Sequence, residues 1–315
     1  MVTASNIARR LTRVPPAYFV FLALFLVIWA TRPQMVNVNV LSIFIRQVAP
    51  LGILVLGQLL VMRVRSIDLS GAGVILLVNY VISSGILRGA PIWEFALISI
   101  AIGLAVGLFN GLMVGKRKSS AVIVTLAVNI ILIGIVQFLA SGKPPGDVPK
   151  IFAELYNSRL FTIPTPIVVW VILAAIMAVF LSQSVYGRYV DAVGENPQAA
   201  HFSGVPTERV VIVAHTIAGL MAALAALVQT SSIAVGSIRF GLDFPLNAVA
   251  ATILGGVIFG RGEGGVLGPL FGVLSFALLF VVMTIFGIQE PGKLMAQGAI
   301  IMLAAIFYGL RTSKA

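Results

Sequence analysis

The chain has no cysteine, only 10 acidic residues and only two histidines among its 315 residues. The missing thiols exclude a disulfide framework and a thiolate metal site, and His201 and His215 make no ligand pattern with carboxylates. No Gly-x-Ser-x-Gly turn is present to expose a nucleophile. The nearest approach to a phosphate-binding loop, Gly111 to Lys116, sets its glycines too close together and puts Arg117 where a Ser or Thr would hold magnesium. The chain therefore reads as non-catalytic, with no cofactor or metal of its own. Charge is scarce as well: Asp, Glu, Lys and Arg make up 10% of residues, against roughly a quarter in an ordinary soluble domain.

What is abundant is apolar sequence, 59% of the chain, more than a soluble core accommodates. Several runs approach the roughly 20 residues that cross about 30 Å of hydrocarbon as a helix, and Gly, Pro and charges separate them. The expectation is a single integral membrane domain over residues 1–315, an all-α polytopic bundle partnered by the lipid bilayer. Ten candidate spans emerge, at about 17–31, 47–62, 72–87, 91–114, 121–140, 166–182, 210–229, 244–260, 264–286 and 294–310. Those near 47–62 and 72–87 are short enough to be tilted, broken or buried among neighbours.

A net charge of +11 raises nucleic acid as a partner, but the basic residues sit in ones, twos and threes at the ends of apolar runs, which is a topology signal. No nucleic acid is expected. Arg9, Arg10 and Arg13 before the apolar run Tyr18 to Ala30 imitate a secretion signal; no small-x-small site precedes Arg32-Pro33, so a retained first helix is expected. With an even number of spans and the N-terminus inside, 13 of the 21 basic residues fall on the cytoplasmic side. They are Arg9, Arg10, Arg13, Arg63, Arg65, Lys116, Arg117, Lys118, Arg188, Arg209, Arg261, Arg311 and Lys314. Both termini are then cytoplasmic.

Two loops exceed what a hairpin needs. Ser141 to Pro166, with Lys143-Pro144-Pro145-Gly146-Asp147, forbids a continuous helix and falls outside the cell membrane, where it can touch a soluble partner. Gln183 to Glu208 falls inside. Within it Asn196 can accept from the free amides of a new helix, Pro197 suits the first helical position, and Gly204 can end it in the left-handed conformation. A helix of about two turns is too short to be stable alone in water, so it is either an interfacial loop helix or a docking element.

Polar side chains inside apolar runs are costly unless partnered. Gln58, Asn79, Asn110, Asn129, Gln137, His215 and Gln229 are such residues, and hydrogen bonding between helices accounts for most of them. Gln58, Asn79, Asn110 and Asn129 are also candidates to line a solute pathway, because an amide both donates and accepts. Asp68 and Ser70, next to Gly71 and Gly73, read as a helix cap or as pathway residues. Gly103, Gly107 and Gly111 mark one face for close helix packing, as do the glycines from Gly255 to Gly268. Glu94, Asp147, Glu154, Asp191, Glu195, Asp243, Glu263 and Glu290 lie at run ends or in loops. That argues against the alternative of an ion-coupled secondary transporter, which needs such groups near the bilayer midplane.

Four segments in order resemble the ribose-type permeases of ABC importers. Gly194, Asn196, Ala199, Ala200, Ser203 and Gly204 match the family's Gly-x-Asn-x-x-Ala-Ala-x-x-Ser-Gly loop. Ile67-Asp68-Leu69-Ser70, then Asn110-Gly111-Leu112 with Val122 to Leu126, then the glycines from Gly255 to Gly268 are similar to three further family segments. The chain departs from the pattern at Arg65-Ser66 for Gly-Gly, at Gly71-Ala72-Gly73 for Val-Gly-Ser, and at Ser119-Ser120 for Pro-Pro. The arginine leaves a sugar acid or another anionic solute open beside a neutral sugar. The resemblance implies a multi-pass permease of the bacterial inner membrane that translocates a sugar or sugar-like solute. It implies a second permease copy or paralogue, a periplasmic solute-binding protein and a cytoplasmic ABC ATPase that holds the ATP and Mg. Gly194, Glu195, Asn196, Pro197, Ala199, Ala200, Ser203 and Gly204 would then form the helix that couples ATPase closure to the spans.

Overall fold

Apolar runs of the chain become helices wherever Pro, Gly or a charge does not stop them. The computed structural model describes residues 15–257 and 264–312, with the side chains of residue 301 and of residues 303–312 excepted. Arg9, Arg10, Arg13, Gly260, Arg261, Gly262, Glu263, Lys314 and the Arg311 side chain lie outside the described residues.

The helices are α1 (Pro16–Thr31), α2 (Val38–Arg63), α3 (Gly71–Ser83), α4 (Ile92–Gly111), α5 (Ala121–Leu139), α6 (Lys150–Asn157) and α7 (Thr165–Gln183). They continue with α8 (Val185–Glu195), α9 (Pro197–Phe202), α10 (Thr207–Ile233), α11 (Phe244–Leu254), α12 (Leu267–Ile285) and α13 (Glu290–Thr312). A hairpin of two-residue strands, Arg159–Leu160 against Ile163–Pro164, and an isolated antiparallel bridge between Asp147 and Val235 are the small exceptions to an all-α architecture among the described residues. Asn37 starts α2 by accepting a hydrogen bond from the Val40 amide at 3.0 Å. A single π-helical turn, Leu112–Lys116, ends the fourth.

The expectation of about ten spans is corrected. Among the described residues six helices are long and apolar enough to cross a membrane: α2, α4 with its terminal turn, α5, α7, α10 and α12. The runs at 17–31, 72–87 and 244–260 yield helices of 16, 13 and 11 residues, about 24, 20 and 17 Å at 1.5 Å per residue, short of the hydrocarbon thickness. Hydropathy alone cannot see that Gly85 and Gly255 end two of them. The run at 294–310 falls in α13, most of whose side chains there are outside the described residues.

α10 is the centre of the bundle and packs on α4, α2 and α3, while α12 packs on α1 and α11. Its contact with α4 is a small-residue seam: a Cβ on Gly107 would run into the His215 carbonyl, and one on Gly219 into the backbone of Gly103 and Gly107. Two ends of the bundle can be distinguished. At one, the 64–70 turn, Lys118, and the stretch from Ser184 to Glu208 gather, with Lys118 3.2 Å from Glu208. At the other, residues 83–91 and 145–151 enclose a cleft of about 620 Å³.

α10 does not run directly into α11. Ala234 turns left-handed at φ 56°, and the following stretch is non-helical as far as Asp243. Its backbone is met by protein: Gly236 N donates to the Gly146 carbonyl at 2.7 Å, and Ser237 N donates to Asn79 Oδ1 at 2.7 Å. Irregular backbone inside a membrane protein requires this kind of cover.

Candidate functional site

The segment after α7 is built from local capping. Ser184 accepts from Gly187 N at 2.9 Å and starts α8, and Gly187 lies so close to the Leu181 carbonyl that no Cβ fits. Tyr186 donates its hydroxyl to the Val210 carbonyl at 2.8 Å, tying α8 to α10, and burial pushes its phenol above the ordinary range. Asn196, in extended conformation, breaks the helix and caps the next, accepting from Gln198 N and Ala199 N at 3.0 Å each. Pro197 takes the first helical position, and Gly204 is left-handed at φ +84°. Helix α9 is thus six residues long and follows α8 directly, where the sequence suggested one isolated helix.

Gly194 and Ala200 are buried; Glu195, Asn196, Gln198, Ala199, Ser203 and Gly204 are exposed, and Pro197 is half-buried. Phe202 is 88% exposed. The short, capped helix α9 thus presents Phe202 to the outside beside small and polar side chains.

Two arginines at the end of α2 grip this segment. Arg63 pairs with Asp191 on α8. Arg65 donates from Nε to the Gly194 carbonyl at 2.8 Å and from a terminal nitrogen to the Glu195 carbonyl at 2.7 Å. Those carbonyls belong to the last turn of α8, which has no amides ahead of it to satisfy them, and a cation there also complements the helix dipole. Arg65 is itself left-handed, φ 62°.

From Arg65 the chain enters a buried polar turn. Asp68 Oδ1 accepts from Ser70 N at 2.8 Å and from the Ser70 hydroxyl at 2.6 Å. The Ser70 hydroxyl accepts from Asn110 Nδ2 at 2.9 Å. Ser66 Oγ lies 2.8 Å from His215 Nε2, and His215 Nδ1 is 3.8 Å from the Asp68 carboxylate. Leu69 N donates to Thr125 Oγ1 at 3.0 Å. The turn between α2 and α3 is thereby fastened to α4, α5 and α10 at once. Burial raises the Asp68 carboxyl, but His215 and the Ser70 amide and hydroxyl outweigh it and hold the group below its ordinary value.

The structure brings Asp68, Ser70 and Asn110 together and places Gln58 across a small cavity from Asp68, with Gly71, Ala218, Ala222, Pro245 and Ala248 among its walls. Gln58 Nε2 and Asn110 Oδ1 are buried without a hydrogen-bond partner. Asn129 accepts from Gly73 N at 2.7 Å, at the start of α3. Asn79 stands apart, donating to Val235 O at 3.2 Å and accepting from Ser237. Sequence reasoning gave no site role to Ser66 or Thr125, although Thr125 falls in a family-like segment and Ser66 at a departure from one, because Ser and Thr are common in helices and turns. It read Arg65 as a cytoplasmic-side basic residue and as a departure from glycine that left an anionic solute open, not as a donor to main-chain carbonyls.

Comparison with known proteins follows the same lines. The chain is 26% identical over 294 residues to a ribose import permease protein of Haemophilus influenzae, covering 92% of this chain and 91% of that one. It is 29% identical to the ribose import permease protein of Bacillus subtilis, covering 91% and 90%. It is 28% identical to an autoinducer 2 import system permease protein of Escherichia coli, covering 88% and 81%. No solved structure matches. The chain is a multi-pass inner-membrane protein and a transport component. Residues 40–305 match the family described as branched-chain amino acid transport system / permease component, and the chain belongs to that family of permeases.

Proposed function

We propose that this chain is the permease subunit of an ABC importer that takes up a sugar or sugar-like solute, handed over by a periplasmic binding protein. A cytoplasmic ATPase holds the ATP and Mg, and a second copy of the chain, or a paralogue, completes the pathway. The observation that carries the reading is similarity along nine-tenths of the chain to ribose import permeases. The exposed helix α9, rimmed by Gly194, Glu195, Asn196, Pro197, Ala199, Ala200, Ser203 and Gly204, supports a seat in the ATPase. ATP-driven closure of that partner would push on α9, and the push would reach the spans through α8.

A hydroxylated solute needs donors and acceptors that hold it weakly. Gln58 and Asn110 meet that requirement, since each keeps one buried polar atom without a partner; Asp68 and Ser70 set the position of Asn110, and Asn129 and Asn79 hold backbone. The test is co-purification from native membranes after mild solubilisation, with stoichiometric partners identified by mass spectrometry. An ATPase that is lost when Glu195 to Gly204 is disrupted supports the proposal. A stable assembly without an ATPase, under conditions that preserve a known ABC importer, refutes it.

A further inference from the structure

We propose that Arg65 is the latch that carries motion of the α8–α9 segment into the buried Asp68 turn, acting as a positioning residue for coupling. The inference rests on the importer reading above and names one residue within it. One guanidinium binds two successive carbonyls, Gly194 and Glu195, immediately before the helix-capping Asn196. On its other side Arg65 is joined by a single peptide bond to Ser66, which meets His215, and three residues later Asp68 meets Ser70. A displacement of α9 thus has a path of two charge-assisted hydrogen bonds and one covalent link to the turn that positions Asn110 and borders the Gln58 cavity. Charge-assisted bonds of this kind are about twice as strong as neutral ones, and a planar fork on two acceptors fixes direction as well as distance.

The backbone at Arg65 isolates the side chain as a variable. At φ 62° glycine is at ease and other residues are not, so Arg65→Gly removes the latch while relieving the main chain. A plain structural cap and a latch then differ in what they predict. Loss of a cap alters melting of the assembly and leaves both segments responsive to nucleotide. Loss of a latch largely disconnects one segment from the other.

The experiment is hydrogen exchange read by mass spectrometry on the full chain assembled with its ATPase in lipid nanodiscs, with and without Mg and a non-hydrolysable ATP analogue. In the wild type, residues 194–204 and residues 64–73 both change exchange on nucleotide addition. In Arg65→Gly the change at 194–204 persists and the change at 64–73 falls by more than half, the Arg63–Asp191 pair remaining as the other link; Arg65→Lys, able to reach one carbonyl, restores part of it. Arg65→Gln reads the same loss should the glycine variant assemble poorly. A response at 64–73 in Arg65→Gly at least half that of the wild type overturns the latch, as does a wild type in which only 194–204 responds. If 194–204 itself does not respond in the wild type, the coupling reading has failed and the latch falls with it.

Discussion

Removing the Asp68 carboxylate tests the buried turn most directly. Asp68 accepts two hydrogen bonds from Ser70, at 2.8 and 2.6 Å, and lies 3.8 Å from His215 Nδ1. In Asp68→Ala the Ser70 amide loses its acceptor inside the protein, and His215 loses the charge beside it. A hydrogen bond to a charged group contributes about 1.5–3 kcal/mol, and the Asp68 carboxylate accepts two of them from Ser70. The alanine variant should therefore lose about 3–6 kcal/mol. Asp68→Asn keeps an oxygen for Ser70 and loses the charge, so about 1–2 kcal/mol is expected on the same scale. Equilibrium unfolding of the purified chain in mixed detergent, followed by tryptophan fluorescence, gives both numbers. The pH dependence adds a check of sign. A carboxyl held below its ordinary value stabilises the fold above that value, about 3.9, and the stabilisation disappears as pH falls through the lower folded one. Asp68 thus contributes a constant amount across pH 5–8 and an acid-side loss that Asp68→Asn lacks. An alanine variant within about 0.5 kcal/mol of the wild type, the range of ordinary surface substitutions, would refute the network as a source of stability.

Three further outcomes follow from the packing and the caps. Gly107→Ala sets a methyl against the His215 carbonyl, whereas Gly134 has open space around it; the first should lose about 1–3 kcal/mol by overpacking and the second gain up to about 1 kcal/mol, compared by the same unfolding assay. Asn196→Ala removes the acceptor for two amides and should cost about 1 kcal/mol, seen as faster hydrogen exchange confined to residues 197–202. Burial raises the Tyr186 phenol, so its stabilising effect is complete below the ordinary tyrosine value near 10 and is lost as pH climbs through the raised folded one. Ultraviolet titration should accordingly find, in the wild type, one tyrosine that ionises at higher pH than the others and that is missing from the titration of Tyr186→Phe.

The helical class, the membrane setting and the cap at Asn196 were legible because each depends on local composition: long apolar runs, or an Asn-Pro pair ahead of two alanines. The number of spans was not, because an apolar run reads alike whether it crosses a bilayer or stops midway against neighbours. Gly71 to Ser83 is apolar and almost wholly buried, yet it has only 13 residues. The Asp68 turn was half legible. Asp and Ser two apart announce a local hydrogen bond, but the residues that complete the network, Asn110, Thr125 and His215, are 40 or more positions away from their partners in the turn. Arg65 was the hardest to read, since its side chain binds main-chain carbonyls 129 and 130 residues away, and carbonyls have no sequence signature.

The short helices bear on where a solute could pass. α3 and α11 meet α2 and α10 around the cavity that holds Gln58, and small residues there, Gly71, Ala218, Ala222 and Ala248, leave little side-chain bulk to move aside. Asn79 faces the non-helical stretch after α10 and uses both ends of its amide there, accepting from Ser237 N and donating to Val235 O. Leaving those backbone groups unpaired in a buried setting would cost about 1–3 kcal/mol each. Opening along this seam therefore costs less when Asn79 and residues 235–237 travel as one body than when they part. That separates the amides by physical condition: Asn79 is committed to main chain, while Gln58 and Asn110 each retain a buried polar atom without a hydrogen-bond partner. Of the two, Gln58 borders the cavity at the four-helix junction, whereas Asn110 belongs to α4 and reaches that junction only through its hydrogen bond to Ser70.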